Sequence, residues 1–533
     1  RNAWFAGGIE WNLGWPGHFP YTFSPMHAVR VEGAPYPVLR MYEWERKRRT
    51  PYQIDFFLPG DDAAFLHSFV RIDNPTETVM PVYWWSNLAV DETPETRVIV
   101  PATKAVTEGG RVVSVPFCDN IDMSYPARNP GARDYFFHME ETPCRWEAAV
   151  DGTGRGMIYT SGHLLKGRKL FVWGQSQGGR HWQEYLAKPG ATHYCEIQSG
   201  LGKTQLGCVP LVPGAAYRWM EAFGALEIEA AQAHGEWSAA IAAAAGELEN
   251  MLPAARFDEL EAEARNIAEL PAGEALQDGS GWGALEDRLR VELGKPFFHT
   301  VSTRYSDRTC GPLQQPWLDL LAGKLPGEEA VNLASFMVEA EWQDLLHRAA
   351  LTKRGAGNCW VNYQLALGAY EREQFALAHA YLDRCAATLP ETQARIKRAK
   401  AMIYVLQEMD ERALACWREA MIALPHQVEL LWEAWPTFQK TGQAAEFCTY
   451  LPPDAATHRL GRIRQLATAA ALETGDLATA AKILSVPYEI PEMAEGEAST
   501  SELFLTWKTK RLAQEEKVSW TPDYHAANRD RFY

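Results

Sequence analysis

The stretch Tyr194-Cys195-Glu196-Ile197-Gln198-Ser199-Gly200 closes the last long run of strand-like sequence, and its alternation decides how the first half of the chain reads. Successive side chains of a strand point to opposite faces, so Tyr194, Glu196 and Gln198 share one face while Cys195 and Ile197 share the other. At about 3.3 Å rise per residue the acid and the amide stand roughly 7 Å apart, a spacing that suits adjacent hydroxyls of one small polar ring. A strand face open to solvent would carry the same pattern. What favours a ligand is the aromatic and glycine-rich sequence upstream.

From the start to about Gly224 the pattern stays strand-like. Tyr52, Ile54, Phe56 and Leu58 alternate with polar or mixed neighbours, as do Leu66, Ser68, Val70 and Ile72 before the turn Asp73-Asn74-Pro75. Many short strands separated by Gly and Pro turns, with no helix-period segment between them, indicate a sandwich or barrel rather than parallel winding. After Gly224 the texture changes to Ala, Glu and Leu. Helices are expected over Ala225 to Leu252, Ala254 to about Leu270 and Ala284 to about Leu293, with Gly279, Gly281 and Gly283 in a loop. From Pro316 onward the sequence reads as paired helices. The expected organisation is a β-domain over residues 1–224, a helical connecting region over 225–310 and helical repeats over 311–533.

The repeats have a period of 35 residues: Ala378, Leu382, Cys385 and Pro390 recur as Ala413, Trp417, Ala420 and Pro425, and Gly475-Asp476 with Ala480 and Leu484 is a looser copy. Small residues where paired helices cross, and Pro where the second helix stops, resemble the tetratricopeptide repeat (TPR), whose stacked pairs form a solenoid able to hold a partner protein.

Composition bounds the partners. The 533-residue chain exceeds one ordinary core, and 68 acidic against 52 basic residues give a formal charge of −16, which disfavours nucleic acid. The basic cluster Arg46-Lys47-Arg48-Arg49 reads as a solvated turn between strands. Nine cysteines without a C-x-x-C pair argue for free thiols in a reducing, cytoplasmic compartment, and against a disulfide framework or a zinc site. No His-x-x-x-His pair occurs, and His138, His163, His181 and His193 lie on separate segments, so neither a metal nor another cofactor is expected. No apolar run of about 18 residues suggests a membrane span. The opening Arg1 and the abrupt Trp4-Phe5-Ala6-Gly7-Gly8 suggest that further sequence precedes them.

Three segments supply candidate chemistry. Gly7 to Pro20 places Glu10, Trp11, Asn12 and His18 among glycines; glycine allows close backbone approach, and tryptophan faces hold the apolar side of a sugar ring. Trp84 and Trp85 are adjacent and must face opposite sides, so that one is core while the other lines a cleft, with Asn87 beyond them. Asp91, Glu92 and Glu95 follow, where like charges raise one another's pKa; one protonated carboxyl beside one carboxylate is the pairing of glycoside hydrolysis. A solvated acidic loop would look the same. Trp173, Arg180, Trp182 and Glu184 read as the wall of a polar cleft completed by Tyr194. Gly178-Gly179-Arg180 lacks the ending of a phosphate loop.

Asn74, then Ser86-Asn87-Leu88-Ala89, then Glu196-Ile197-Gln198 on a late strand, resemble the galactose mutarotase (aldose 1-epimerase) superfamily. Gly7-Gly8-Ile9-Glu10-Trp11-Asn12, Trp84-Trp85-Ser86-Asn87 and the trailing repeats resemble, more closely, a bacterial family of uncharacterised mutarotase-like proteins with C-terminal TPR repeats. The resemblance implies a multidomain β + α protein: an antiparallel β-supersandwich with a carbohydrate cleft, followed by an α-helical TPR-like solenoid. It also implies that Glu196 is the general base for an anomeric hydroxyl and that His18 contacts substrate. The chain departs from the pattern at Tyr83, where a mutarotase has a catalytic histidine, and the first strands of the supersandwich are expected to be missing from the sequence as given. Two functions follow. One is a carbohydrate-active enzyme on a mono- or oligosaccharide, with Glu196 as base or nucleophile and Glu10, Glu92 or Glu184 as acid, hydrolysis being slightly preferred over epimerisation. The other is a carbohydrate sensor coupled to a TPR scaffold that docks a protein.

Overall fold

The alternating segments before Gly224 build two large antiparallel sheets, beside two short two-stranded ones. A computed structural model describes residues 7–513 apart from 61–62, 140–144, 188–190, 297, 299–300, 489 and 491–499. Among the described residues, a seven-stranded sheet runs in the order Ile9–Leu13, Trp84–Glu92, His193–Gly200, Gly167–Val172, Arg133–Phe137, Lys104–Val106, Val112–Ser114. A nine-stranded sheet runs Ala272–Gln277, His27–Val31, Val38–Glu45, Thr50–Phe57, Phe65–Asp73, Ala216–Glu227, Arg155–Ser161, Arg145–Val150, Arg97–Ile99.

The sheets are held face to face by one alternate set of residues. Leu88, Val90, Leu170, Val172, Cys195 and Ile197 of the seven-stranded sheet pack with Val98, Ala149, Tyr159 and Phe223 of the other. Burying each such aliphatic side chain is worth about 1.5–3 kcal/mol. A one-residue slip of the His193–Gly200 strand would send Glu196 and Gln198 into that layer, so the register is strongly specified. The consequence for function is direct: Glu196 and Gln198 belong to the face turned away from the second sheet.

Of the 225–310 segment, expected as a helical connector, residues 225–309 fall within the β-unit. The chain divides at 309/310, into Arg1–Thr309 and Cys310–Tyr533. Ala225-Leu226-Glu227 ends a strand, and helices follow at Ala230–Ala233, Trp237–Met251 and Ala254–Ile267. The two longer helices bury Ala240, Ala244, Phe257 and Leu260 against Phe69, Ala148, Ile158 and Met220, on the outer face of the nine-stranded sheet. Ala272–Gln277, with no alternating apolar signature, is an edge strand paired with His27–Val31. The turn 46–49 falls between strands as expected, and the Arg46 guanidinium lies 3.7 Å from the centre of the Trp282 ring.

The second unit contains helix pairs, including Cys359–Glu371 with Phe375–Asp383 and Pro390–Leu406 with Asp410–Ala423. The small repeat positions Ala378, Ala413 and Ala420 are wholly buried, as close helix crossing requires. Pro390 differs from its expected role: it begins a helix rather than marking the end of one, at the position where its missing N–H costs nothing. Gly475 does end a helix, in the left-handed conformation at φ 80°, and the Asp476 side chain caps the next helix through the Thr479 N–H at 3.0 Å. The eight cysteines among the described residues form no disulfide. No helix among them is long and apolar enough to cross a membrane.

Candidate functional site

Register places four polar residues in line across four strands. Glu10 pairs with Asn87, Asn87 with Gln198, and Gln198 with Lys169. With about 4.8 Å between strands, the row spans about 14 Å of the outward face. Glu196 stands one step along the same face, paired with Ala89 on one side and Phe171 on the other.

Hydrogen bonds tie these residues together. Glu196 Oε2 accepts from Asn87 Nδ2 and from Gln198 Nε2, each at 2.8 Å. Neither amide reaches Oε1, and no hydrogen bond to that oxygen is present among the described residues. Burial pushes the Glu196 carboxyl above the ordinary carboxylate range, against the opposing pull of the Lys169 ammonium, the Asn87 amide and His18. Lys169 Nζ is paired with Asp134 Oδ1 at 2.7 Å and donates to Gln205 Oε1 at 2.6 Å, while Gln205 Nε2 donates to Gln198 Oε1 at 2.6 Å.

A second group faces Glu196 from the first strand and its following loop. Glu10 Oε2 accepts from Asn12 Nδ2 at 3.1 Å and lies 3.1 Å from His18 Nδ1. Asn12 Oδ1 accepts the Phe19 N–H at 2.8 Å, which fixes the loop that carries His18. With Nδ1 turned to a carboxylate, the imidazole directs Nε2 away from Glu10. Glu10 is 5% and Glu196 7% exposed, whereas His18 and Asp134 each expose 28% of the side chain, which marks the open rim.

Beneath this layer Trp85 forms a floor. Its ring lies over two glycines: a Cβ on Gly200 would stand 2.2 Å from the indole, and one on Gly167 would stand 2.5 Å from it. Trp85 is the one of the pair that shares the face of Asn87, but it is 1% exposed and packed edge-on against Phe136, so it supports the site and is not an open platform. Tyr83, at the position where the resemblance puts a histidine, is buried in the same cluster, and burial raises its hydroxyl to about 12.

Several sequence candidates fall elsewhere. Trp84 is a core residue: its indole donates at 3.1 Å to Glu221, which also accepts from Trp219 at 2.8 Å. Trp11 alternates away from Glu10 and Asn12, and its ring meets Phe56 edge-on between the sheets. Glu92 is on the inner face of its strand, opposite to Asn87, and accepts from Gln175 at 3.0 Å; burial raises its carboxyl to about 7. Its parity therefore removes it as the acid partner of Glu196. Arg180, Trp182 and Glu184 belong to a helix, Gln177–Leu186, and not to a strand wall. Gln183 of that helix accepts the Tyr194 N–H at 3.1 Å, and Trp182 stacks on Trp173 with centroids 5.9 Å apart. Trp173 in turn meets Tyr194 and Phe171 edge-on. An aromatic wall thus exists beyond Glu196, with Trp173 and Tyr194 buried.

Lys169, Asp134, Phe171 and Gln205 join the site without having stood out in the sequence. Gly167, Lys169, Phe171 and Trp173 alternate along one face of a strand whose pattern is plain, so the parity that turns Glu196 outward could also have found Lys169 and Phe171. Nothing in the sequence signals Gln205, which comes from a loop. No group of three or more His, Cys, Asp or Glu side chains fit to hold a metal ion occurs among the described residues.

The fold and site define a two-sheet antiparallel β-domain with a polar cluster on its outward face, followed by a helical-repeat unit. Residues 1–212 match a family model described as a domain of unknown function, DUF5107. A solved TPR-domain-containing protein from Parabacteroides distasonis is similar over 98% of this chain and 80% of its own, at 15% identity and a TM-score of 0.60. That likeness shows the shared fold. Solved structures described as putative aldose 1-epimerases overlap the chain in part. The one from Escherichia coli K12 covers 37% of this chain and 68% of its own at 13% identity and TM-score 0.28. The one from Klebsiella pneumoniae covers 43% and 60% at 13% identity and TM-score 0.30. Overlaps this loose carry no weight for the reaction.

Proposed function

We propose that the β-domain acts at the anomeric centre of an aldose, with Glu196 as general base and His18, oriented by Glu10, as proton donor. The observation that carries this reading is the divided role of the Glu196 carboxylate. Two amides hold Oε2, and Oε1 is left to take a proton, which is how a positioned base is held while it stays competent. Glu196 removes the proton of the C1 hydroxyl, the C1–O5 bond breaks, and the His18 imidazolium gives its Nε2 proton to O5. The open-chain aldehyde turns about C1–C2 and closes by the reverse steps. No co-reactant is needed.

Glycoside hydrolysis, slightly preferred from sequence, is the second reading, because Glu10 and Glu196 share one face. It needs a protonated carboxyl at the glycosidic oxygen. Glu10 is committed to Asn12 and His18, Glu92 faces inward and Glu184 sits on the helix, which weakens that reading. In a third reading the domain binds the sugar without turnover and the helical unit docks a protein.

Anomer exchange of free aldoses followed by NMR, beside a panel of nitrophenyl glycosides and oligosaccharides, separates the three. Exchange lost in Glu196→Gln supports the first, glycoside cleavage the second, and binding without turnover the third.

A further inference from the structure

The loop 201–208 follows directly from the strand that carries Glu196 and lays one side chain back over the polar row. Gln205 spans Gln198 and Lys169, donating to the amide oxygen of the first and accepting from the ammonium of the second, both at 2.6 Å. These are the two row members nearest the Asp134 rim, and Lys169 is 5% exposed beneath the contact. The next residue, Leu206, is 87% exposed. The tip of the loop is therefore anchored by the Gln205 amide and not by apolar burial, so it opens at low cost once that amide is released.

A pair of adjacent sugar hydroxyls offers one donor and one acceptor at close spacing. The Gln205 carboxamide offers the same pair, to the same two partners, from within the chain. We infer that Gln205 is a built-in stand-in for substrate hydroxyls: an aldose must displace it from Lys169 and Gln198 before it can engage them. Gln205 is thus a specificity-determining residue that sets affinity without touching the reacting atoms. The substrate class it screens for is a neutral aldose with vicinal hydroxyls. The face already carries three carboxylates, Glu10, Asp134 and Glu196, against Lys169 and His18, and a phosphorylated or acidic sugar would meet like charge there. This inference rests on the aldose reading of the site.

The test compares wild type with Gln205→Ala and Gln205→Asn for anomer exchange of D-galactose and D-glucose. The asparagine amide is one methylene too short to span both partners. Removing a competing amide whose carbonyl accepts from a charged donor, Lys169, is expected to lower KM about tenfold, with kcat within about twofold. Direct binding of the same sugars to Glu196→Gln and to Glu196→Gln/Gln205→Ala, by saturation-transfer NMR, should shift by the same factor. A KM that is unchanged or raised in both variants, while wild type turns over, overturns the stand-in and leaves the aldose reading intact. No turnover and no sugar binding by any of the proteins overturns both. Since Gln205 is half-buried beside a loop tip that is exposed at Leu206, unfolding temperatures should differ little; if Gln205→Ala does not fold, the KM of Gln205→Asn decides the question in the same way.

Discussion

Replacing Glu196 by glutamine removes the proposed base while keeping its shape. Both bonds that hold the side chain are donated by amides to one oxygen, Oε2, so a glutamine carbonyl oxygen at that point still accepts from Asn87 and Gln198. Lys169 keeps its ion pair with Asp134. Burial already disfavours the charged form of Glu196, so a neutral isostere should change stability by no more than about 1 kcal/mol. Chemistry should suffer far more, because a positioned general base contributes about 10²- to 10⁴-fold, or about 3–5 kcal/mol of barrier. The assay is NMR exchange between α and β anomers at saturating sugar, with thermal unfolding in parallel. The expected outcome is a kcat lower by at least about a hundredfold with KM little changed. A folded Glu196→Gln protein that keeps more than about a tenth of wild-type kcat would refute the assignment.

Other consequences follow from the same geometry. His18→Ala should cost about 10²- to 10⁴-fold in kcat, Glu10→Gln about tenfold, and the His18/Glu196 double variant less than the sum of its parts, because the pair acts as a unit. The acid limb of kcat/KM should lie above the ordinary carboxylate range, since burial raises Glu196, and it should vanish in Glu196→Gln. Gly200→Ala drives a methyl to 2.2 Å from the buried Trp85 ring and should destabilise the β-unit by about 1–3 kcal/mol in denaturant unfolding, with loss of activity because the floor must shift. Glu43 and Glu92 are both raised by burial to about 7 from 4.5. A carboxyl whose folded pKa is raised binds its proton more tightly in the native state, so its contribution is full below pH 4.5 and is lost as pH rises through 7. Wild type should therefore lose unfolding temperature between about pH 5 and about pH 8, and Glu92→Gln should lose less; equal slopes would contradict this.

How much of the molecule was legible in the sequence depends on which force set each element. Alternation on the Glu196 strand was readable because the inter-sheet layer requires apolar residues at every second position, and the same rule fixed Asn87 and Gln198. The rule also implied that Trp11 opposes Glu10 and Asn12, and that Glu92 opposes Asn87; sugar-binding chemistry at neighbouring positions competed with parity there, and parity won. Which of Trp84 and Trp85 was core could not be read, since it depends on Glu221 from the opposite sheet and on Gly167 and Gly200 beneath the ring. The Gln177–Leu186 helix was hidden by Gly178-Gly179, which lower helix propensity, and it forms because Ser176 caps it through the Gly179 N–H at 3.1 Å. Ala272–Gln277 is a strand by pairing at a sheet edge, with little intrinsic preference to announce it. Gln205 reaches the site by tertiary placement of a loop, which no local pattern encodes.

Determining the structure with a saturating neutral aldose bears most directly on the role given to Glu196. The expected result is a sugar whose anomeric hydroxyl lies within about 2.6–3.2 Å of Glu196 Oε1, with its ring oxygen toward His18. A sugar bound elsewhere on the chain, or the Glu196 face still empty at saturation, would contradict it.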